Sequence, residues 1–355
     1  MNTPVFGPDY YAKVMREFGY SPIEFEQISF SMGAMGIDAL QQQWLCHSGV
    51  ADIVADDACG RRMVATTGFG LSGVPHIGTL TQILKAIRLQ KAGIDVQVVL
   101  GDLDAYNGKV IPLDKTKELS SRYKRFVQGL GFNVESPNVL RSQYESLSTL
   151  RLMYLLGRFM DQQMFDNAEE DLHSFYTERG KVDAGMTYRR QLSLNLMIAD
   201  FLELLADGQY DSVVIFLGVD EHRYVDFGRQ ALERAALEFP QWFSGKRYGA
   251  LYSGIIRGFN GYPKMSKSFP ESSITVDMKF EEILQRIESG EVVTEIPETN
   301  VVYQMIASAS KYSQDAIEEA RRECVKQSHP WKAIKTEYAK HLYEICQHWH
   351  SYEEG

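Results

Sequence analysis

The chain has 355 residues, 44% apolar and 24% charged, enough for one large domain and a smaller one around a sizeable core. Its formal net charge of −10 excludes a wholesale nucleic-acid coat but leaves room for a local basic groove. Cys46, Cys59, Cys324 and Cys346 are far apart and show no metal spacing; no run reaches the roughly 18 apolar residues of a membrane span, and no signal peptide opens the chain, so a reducing, cytoplasmic setting is expected.

Residues 1–60 read as a preamble of short helices, with one helix start at Tyr20-Ser21-Pro22-Ile23-Glu24. Met63–Thr67 is a short buried strand, followed by a glycine-rich turn at Gly68–Gly73. Leu80, Ile83, Leu84 and Ile87 then fall on one helix face, Gly93 stops that helix, and Ile94–Leu100 forms the next strand. Strand, turn, helix and strand make a βαβ unit and imply a parallel sheet. Asp114 is placed to cap a helix running to about Leu130, Pro137–Arg141 is a short strand, and helical periodicity covers Leu147–Met164. Asp211–Leu217 is a buried strand closed by Gly218, with a helix from about Tyr224 to Leu237. Beyond Phe280 the chain reads as helices, broken near Ser328-His329-Pro330. The expected architecture is α/β: a helical extension (1–60), a doubly wound parallel sheet (61–280) and a helical C-terminal region (281–355).

Ligands of such sheets sit at the carboxyl ends of the strands. The segments there, 68–78, 101–107 and 218–222, are rich in Gly, Asp, His or Asn. Gly68 and Gly70 let backbone approach a ligand closely. His76 precedes a helix start at Gly78-Thr79, where N–H groups and the positive dipole end suit a phosphate. A second stretch, Gly261–Ser273, carries Lys264-Met265-Ser266-Lys267-Ser268 between Pro263 and Pro270. Two compact cations three positions apart, with hydroxyls between and after, suit a clamp on a triphosphate.

Taken together, the two stretches resemble the signatures of class I aminoacyl-tRNA synthetases. His76-Ile77-Gly78-Thr79 is similar to HIGH, with Thr79 where histidine is commonest, and Lys264–Ser268 matches KMSKS in full. Leu196-Met197-Ile198-Ala199-Asp200 resembles the MxAD or QAxD helix of the tryptophanyl/tyrosyl group, and Met197 favours the tryptophanyl pattern. Leu100–Tyr106 resembles the ADLHAY stretch, and Gly218–His222 the GxDQ loop. The resemblance covers about residues 63–290. It implies a Rossmann-like fold, ATP and Mg²⁺, an aromatic amino acid, tRNA as acceptor and a homodimer. By residue, it implies His76, Lys264 and Lys267 as catalytic groups. Gly68, Gly70, Gly78, Thr79, Gly218, Asp220, Met265, Ser266 and Ser268 would bind ATP. Thr66, Asp102, Met197, Asp200 and Glu221 would bind the amino acid, Asp102 through its α-ammonium group and Asp200 through its ring. No metal ligand is assigned. Ser193 departs from the family, occupying the place of a tyrosine that contacts the substrate ammonium. With the acidic balance, and seven Lys/Arg against five Asp/Glu from Lys311 to Lys340, that departure leaves open a paralogue serving a non-translational pathway. A catalytically silent nucleotide-binding protein is the other alternative.

Overall fold

The computed structural model describes residues 7–20, 25–182 and 185–351. The helix start expected at Ser21–Glu24 lies outside them. A six-stranded sheet has the order β1-β6-β5-β2-β3-β4, with β1 Cys46–Ser48, β2 Met63–Gly70, β3 Val96–Gly101, β4 Val139–Ser142, β5 Ser212–Gly218 and β6 Arg247–Ser253. All neighbours are parallel except β1, which runs antiparallel along β6. Strands β1 and β6 were not anticipated. Both lack the uninterrupted β-branched run that marks β5, and β1 has three residues.

The first crossover helix, α1 (Ile77–Lys91), starts at His76, whose Nδ1 accepts the Gly78 N–H at 2.9 Å. Gly93, at φ 86°, turns the chain away after it, a left-handed conformation that glycine adopts freely. Leu80, Ile83, Leu84 and Ile87 are buried as the periodicity demands, each contributing about 1.5–3 kcal/mol of hydrophobic stabilisation. The expected turn at Gly68–Gly70 is instead the end of β2, where Gly70 pairs with Gly101 of β3.

Helix α2 (Asp102–Gly108) follows β3, and α3 (Leu113–Gly129) leads to β4. The single helix expected over Leu147–Met164 is divided: α4 (Leu147–Leu156) gives way to a 3₁₀ turn at Gly157–Phe159 and a short helix at Gln162–Asn167. Asp161 caps that short helix through the Met164 N–H, an alternative to continuing one long helix. Helices α5 (Tyr188–Ala206) and α6 (His222–Glu238) flank β5 in sequence. The C-terminal region is helical, and its expected break falls where Ser328 caps the helix His329–His350.

What positions the site is a divergence in the sheet. β2 and β5 pair from Met63↔Ser212 to Thr66↔Ile215. Beyond that point β2 continues along β3 to Gly70↔Gly101, while β5 continues along β6 to Gly218↔Ser253. The strand order reverses at this place, so a crevice opens at the carboxyl ends of β2 and β5.

Candidate active site

The crevice holds a cavity of about 480 Å³. His76, Gly78 and Thr79 line it from the start of α1, Gly68 and Gly70 from β2, Gly218, Asp220 and Glu221 from the turn after β5, and Lys264–Ser268 from the late loop. The first signature segment is tied by backbone to the residues that follow the late loop: Ile77 N donates to Ile274 O at 3.1 Å, and Val276 N donates to Pro75 O at 3.0 Å. His76 and Thr275 form an isolated bridge between the same two segments. Two stretches nearly 200 residues apart thus form one wall, as their joint chemistry requires.

Burial, reinforced by the charges of Lys267 and Lys264, pushes His76 down to about 3. The imidazole is therefore neutral at physiological pH. Because Nδ1 accepts from Gly78, the proton resides on Nε2, which is a donor. The helix start offers fewer N–H groups than the sequence suggests, since Gly78 N bonds to His76 and Ile77 N to Ile274.

The two lysines rest on protein groups. Lys264 Nζ donates to Asp220 Oδ2 at 2.6 Å and lies 3.8 Å from Glu170. Burial pulls its pKa down, but Asp220, Tyr176, Glu170 and Glu221 outweigh that and hold it well above the ordinary lysine value. Lys267 Nζ donates to Gly70 O and to Tyr123 Oη, each at 3.0 Å. Burial, against the attraction of Asp104, pushes Lys267 down to about 8. Glu221 accepts from Gly218 N, and burial together with Asp220 pushes it up to about 7.

The other end of the cavity is walled by α5, which presents Ser193, Met197 and Asp200. Asp200 is 2% exposed, and both of its oxygens are engaged. Arg141 Nη1 donates to Oδ1 at 2.9 Å and Gln143 Nε2 to Oδ2 at 2.7 Å. Arg141 also reaches Glu203 at 3.1 Å. Burial, opposed by Arg141 and Gln143, leaves Asp200 raised to about 6. A buried carboxylate needs such partners, and they come from β4, the short strand expected at Pro137–Arg141, and from the residue just after it.

Two expected amino-acid contacts do not face the cavity. Asp102 is 1% exposed; its Oδ1 accepts from Leu103 N at 3.0 Å and Tyr144 N at 3.2 Å, so its carboxylate fixes the start of α2 to the turn after β4. Thr66 is fully buried, and its hydroxyl accepts from Gln97, which also bonds the Asp200 carbonyl. The sequence reading passed over Asp104, Gln143, Glu170, Tyr176 and Arg190, all of which line the cavity. Asp104 alone had a signal, lying inside the Leu100–Tyr106 stretch two residues beyond Asp102. The others come from irregular or weakly patterned segments. Among the described residues no group of three or more His, Cys, Asp or Glu is arranged to hold a metal ion, and no helix is long and apolar enough to cross a membrane.

Comparison with known proteins gives the fold and the family. A tryptophan–tRNA ligase of Hyperthermus butylicus is 24% identical over 298 residues, 80% of this chain and 74% of that protein. A tyrosine–tRNA ligase of Methanosarcina barkeri is 25% identical over 228 residues, 64% of this chain and 65% of that protein. The crystal structure of tryptophanyl-tRNA synthetase from Aeropyrum pernix superposes with a TM-score of 0.75 at 19% identity, covering 97% of this chain and 93% of that one. Tyrosyl-tRNA synthetase of Archaeoglobus fulgidus, complexed with L-tyrosine, gives 0.65 at 20% identity, covering 85% and 94%. Both structures share the fold. Residues 58–347, which contain the whole crevice, match the family described as tRNA synthetases class I (W and Y), and this chain belongs to that family.

Proposed function

We propose that the protein activates an aromatic amino acid, tryptophan before tyrosine, with ATP, and transfers the aminoacyl group from the adenylate to tRNA. The observation that carries this reading is that His76, Lys264 and Lys267 line one cavity, with the segment after the late loop paired by backbone to the start of α1. The substrate carboxylate attacks the α-phosphorus, forming a C–O–P linkage and releasing pyrophosphate. Such a displacement depends on positioning and charge neutralisation. His76 Nε2–H, neutral and fixed, donates to the α-phosphate region. Lys264 and Lys267 leave Asp220, Gly70 and Tyr123 for the departing pyrophosphate, a loop movement that then permits release. Gly218 and Asp220 hold the nucleoside. Mg²⁺ supplies charge neutralisation on the phosphate oxygens when bound. With no metal-binding cluster among the described residues, it would be held chiefly by the nucleotide, and no side chain is assigned to it. Met197 packs on the substrate ring, its thioether suiting an aromatic face.

A second reading, a relative that activates a different amino acid for a non-translational pathway, is favoured by Asp200 already being paired with Arg141 and Gln143. ATP–pyrophosphate exchange with each of the twenty amino acids separates the two, followed by charging of total tRNA. Exchange with tryptophan or tyrosine and charging supports the first. Exchange without charging supports the second, and no exchange with any amino acid overturns both. We further propose a homodimer through α4, where Leu147, Tyr154 and Leu155 are exposed at 66%, 82% and 41%. Tyr154→Glu converts a dimer to a monomer in sedimentation analysis if this face is the interface, and leaves the mass unchanged if it is not.

A further inference from the structure

The two clamp lysines are held by different chemistry. Lys264 rests on a carboxylate, Asp220. Lys267 rests on two neutral oxygens, Gly70 O and Tyr123 Oη, each at 3.0 Å. Asp104 attracts its charge and Lys109 repels it, both through space. An ammonium on a flexible four-carbon stem has no direction of its own, so the groups that accept its hydrogens decide where the charge stands.

Tyr123 is one of those groups, and it is itself rigidly fixed. It comes from the buried face of α3 and is fully buried. It is not a lining residue of the cavity and reaches it through Lys267. Its hydroxyl donates to Gly73 O at 2.8 Å. A phenol has one hydrogen to give, so toward Lys267 it can only accept. Burial holds its pKa well above the ordinary value, and the proton stays on. The ring packs tilted on Phe69, with centroids 5.7 Å apart, and meets Trp349 edge-on at 5.5 Å. Trp349 is 1% exposed and belongs to the C-terminal helix His329–His350, which thereby backs a residue of the nucleotide side. The Lys267 ammonium also lies 5.5 Å from the centre of the Tyr123 ring.

One hydroxyl thus joins the turn that leads into His76 to the second lysine of the clamp. A neutral oxygen is a suitable resting partner for a cation that must later move. In a buried setting it removes the cost of an unpaired ammonium. A phosphate oxygen, which carries charge, makes the stronger hydrogen bond and takes the ammonium over.

We propose that Tyr123 is the positioning residue of Lys267, its hydroxyl holding the ammonium at the cavity wall until a nucleotide phosphate replaces it. This assignment rests on the ATP-using role proposed above. It adds a residue outside both signature stretches to the nucleotide side, and one that acts through Lys267 alone.

The test is calorimetry of Mg²⁺–ATP binding between about pH 6.5 and 9.5 in wild type, Tyr123→Phe, Lys267→Arg and the double variant, a range that spans the lysine titration. Phenylalanine keeps the packing on Phe69 and Trp349 and removes only the hydroxyl. In wild type the Kd for ATP climbs as Lys267 loses its charge near pH 8. Without the hydroxyl the charged form loses an acceptor, so the Tyr123→Phe climb is expected to begin about one pH unit lower, the scale of one hydrogen bond to a charged group. Asp104 and Lys109 act on Lys267 in both proteins and cannot move the climb between them. Arginine stays charged, so in the Lys267→Arg background Tyr123→Phe should move nothing. A climb at the same pH in wild type and Tyr123→Phe would overturn the assignment. So would a loss of affinity that is equal at every pH and persists in the Lys267→Arg background, since that is the mark of a merely structural residue. A wild-type protein that binds no ATP would instead remove the role on which the assignment rests.

Discussion

The nucleotide half of the crevice and the amino-acid half are built by different means. On the nucleotide side, two contiguous stretches supply most of the groups, and backbone bonds between 75–77 and 274–276 join them. On the amino-acid side, single residues arrive from β3, β4, α2 and α5, and side-chain bonds such as Arg141–Asp200 and Gln143–Asp104 N set their positions. The first half keeps its geometry as long as its backbone pairs. The second depends on a network in which each member holds another, and such networks are costly when partly satisfied.

This contrast can be broken or sharpened by substitution. The largest effect belongs to the nucleotide side. Lys264→Ala with Lys267→Ala removes both clamp cations, and exchange should slow by roughly 10³-fold or more, given about 10²–10³ for one transition-state donor. Amino-acid binding measured by calorimetry should be retained. An undiminished exchange rate in the double variant would refute the clamp.

The next effect lies in the amino-acid network and is read as stability. Arg141→Met removes the cation that pairs with Asp200 and Glu203, a loss of about 3–5 kcal/mol for a broken buried pair. The pH dependence follows from Asp200, whose pKa rises on folding from 3.8 to about 6. The folded state then binds the proton more tightly than the unfolded chain. Stability falls as pH rises through that interval, and the fall is complete above about 6. Without Arg141 the folded pKa rises further, so the defect of Arg141→Met grows between pH 5 and 8. Denaturant titrations at both pH values check this, and a defect independent of pH would contradict it.

The smallest effect is a titration. Lys267, pushed down to about 8, loses its charge in the free protein above that pH, so the KM for ATP should climb there. An arginine stays charged throughout. Lys267→Arg should flatten the climb, whatever it does to the rate, whereas an equal climb in both proteins would assign it to another group. His76 contributes no inflection between pH 5 and 9, since it is neutral across that range.

The same contrast explains what could be read from the sequence. Periodicity located β2, α1, β3 and β5 because their apolar patterns are local, and Lys264–Ser268 stood out because its chemistry is contiguous. Gly68–Gly70 read as a turn yet form a strand, because pairing with Val99, Leu100 and Gly101 overrides glycine's weak strand preference. Asp102 and Asp104 are chemically identical and two residues apart, and the resemblance pointed to Asp102, whereas Asp104 lines the cavity. Only the turn after β4, which brings Tyr144 N to one and Gln143 to the backbone of the other, separates a structural carboxylate from a lining one. Glu170 and Tyr176 lie in a stretch with no regular period, so their approach to Lys264 is a product of tertiary packing.

A crystal structure with a non-hydrolysable ATP analogue tests most directly whether the early turn and the late loop share one triphosphate. The account predicts phosphate oxygens within hydrogen-bonding distance of His76 Nε2 and of at least one of the Lys264 and Lys267 ammonium groups, with Lys264 withdrawn from Asp220 or Lys267 from Gly70. A nucleotide bound elsewhere, with both lysines still on those protein partners, would contradict it.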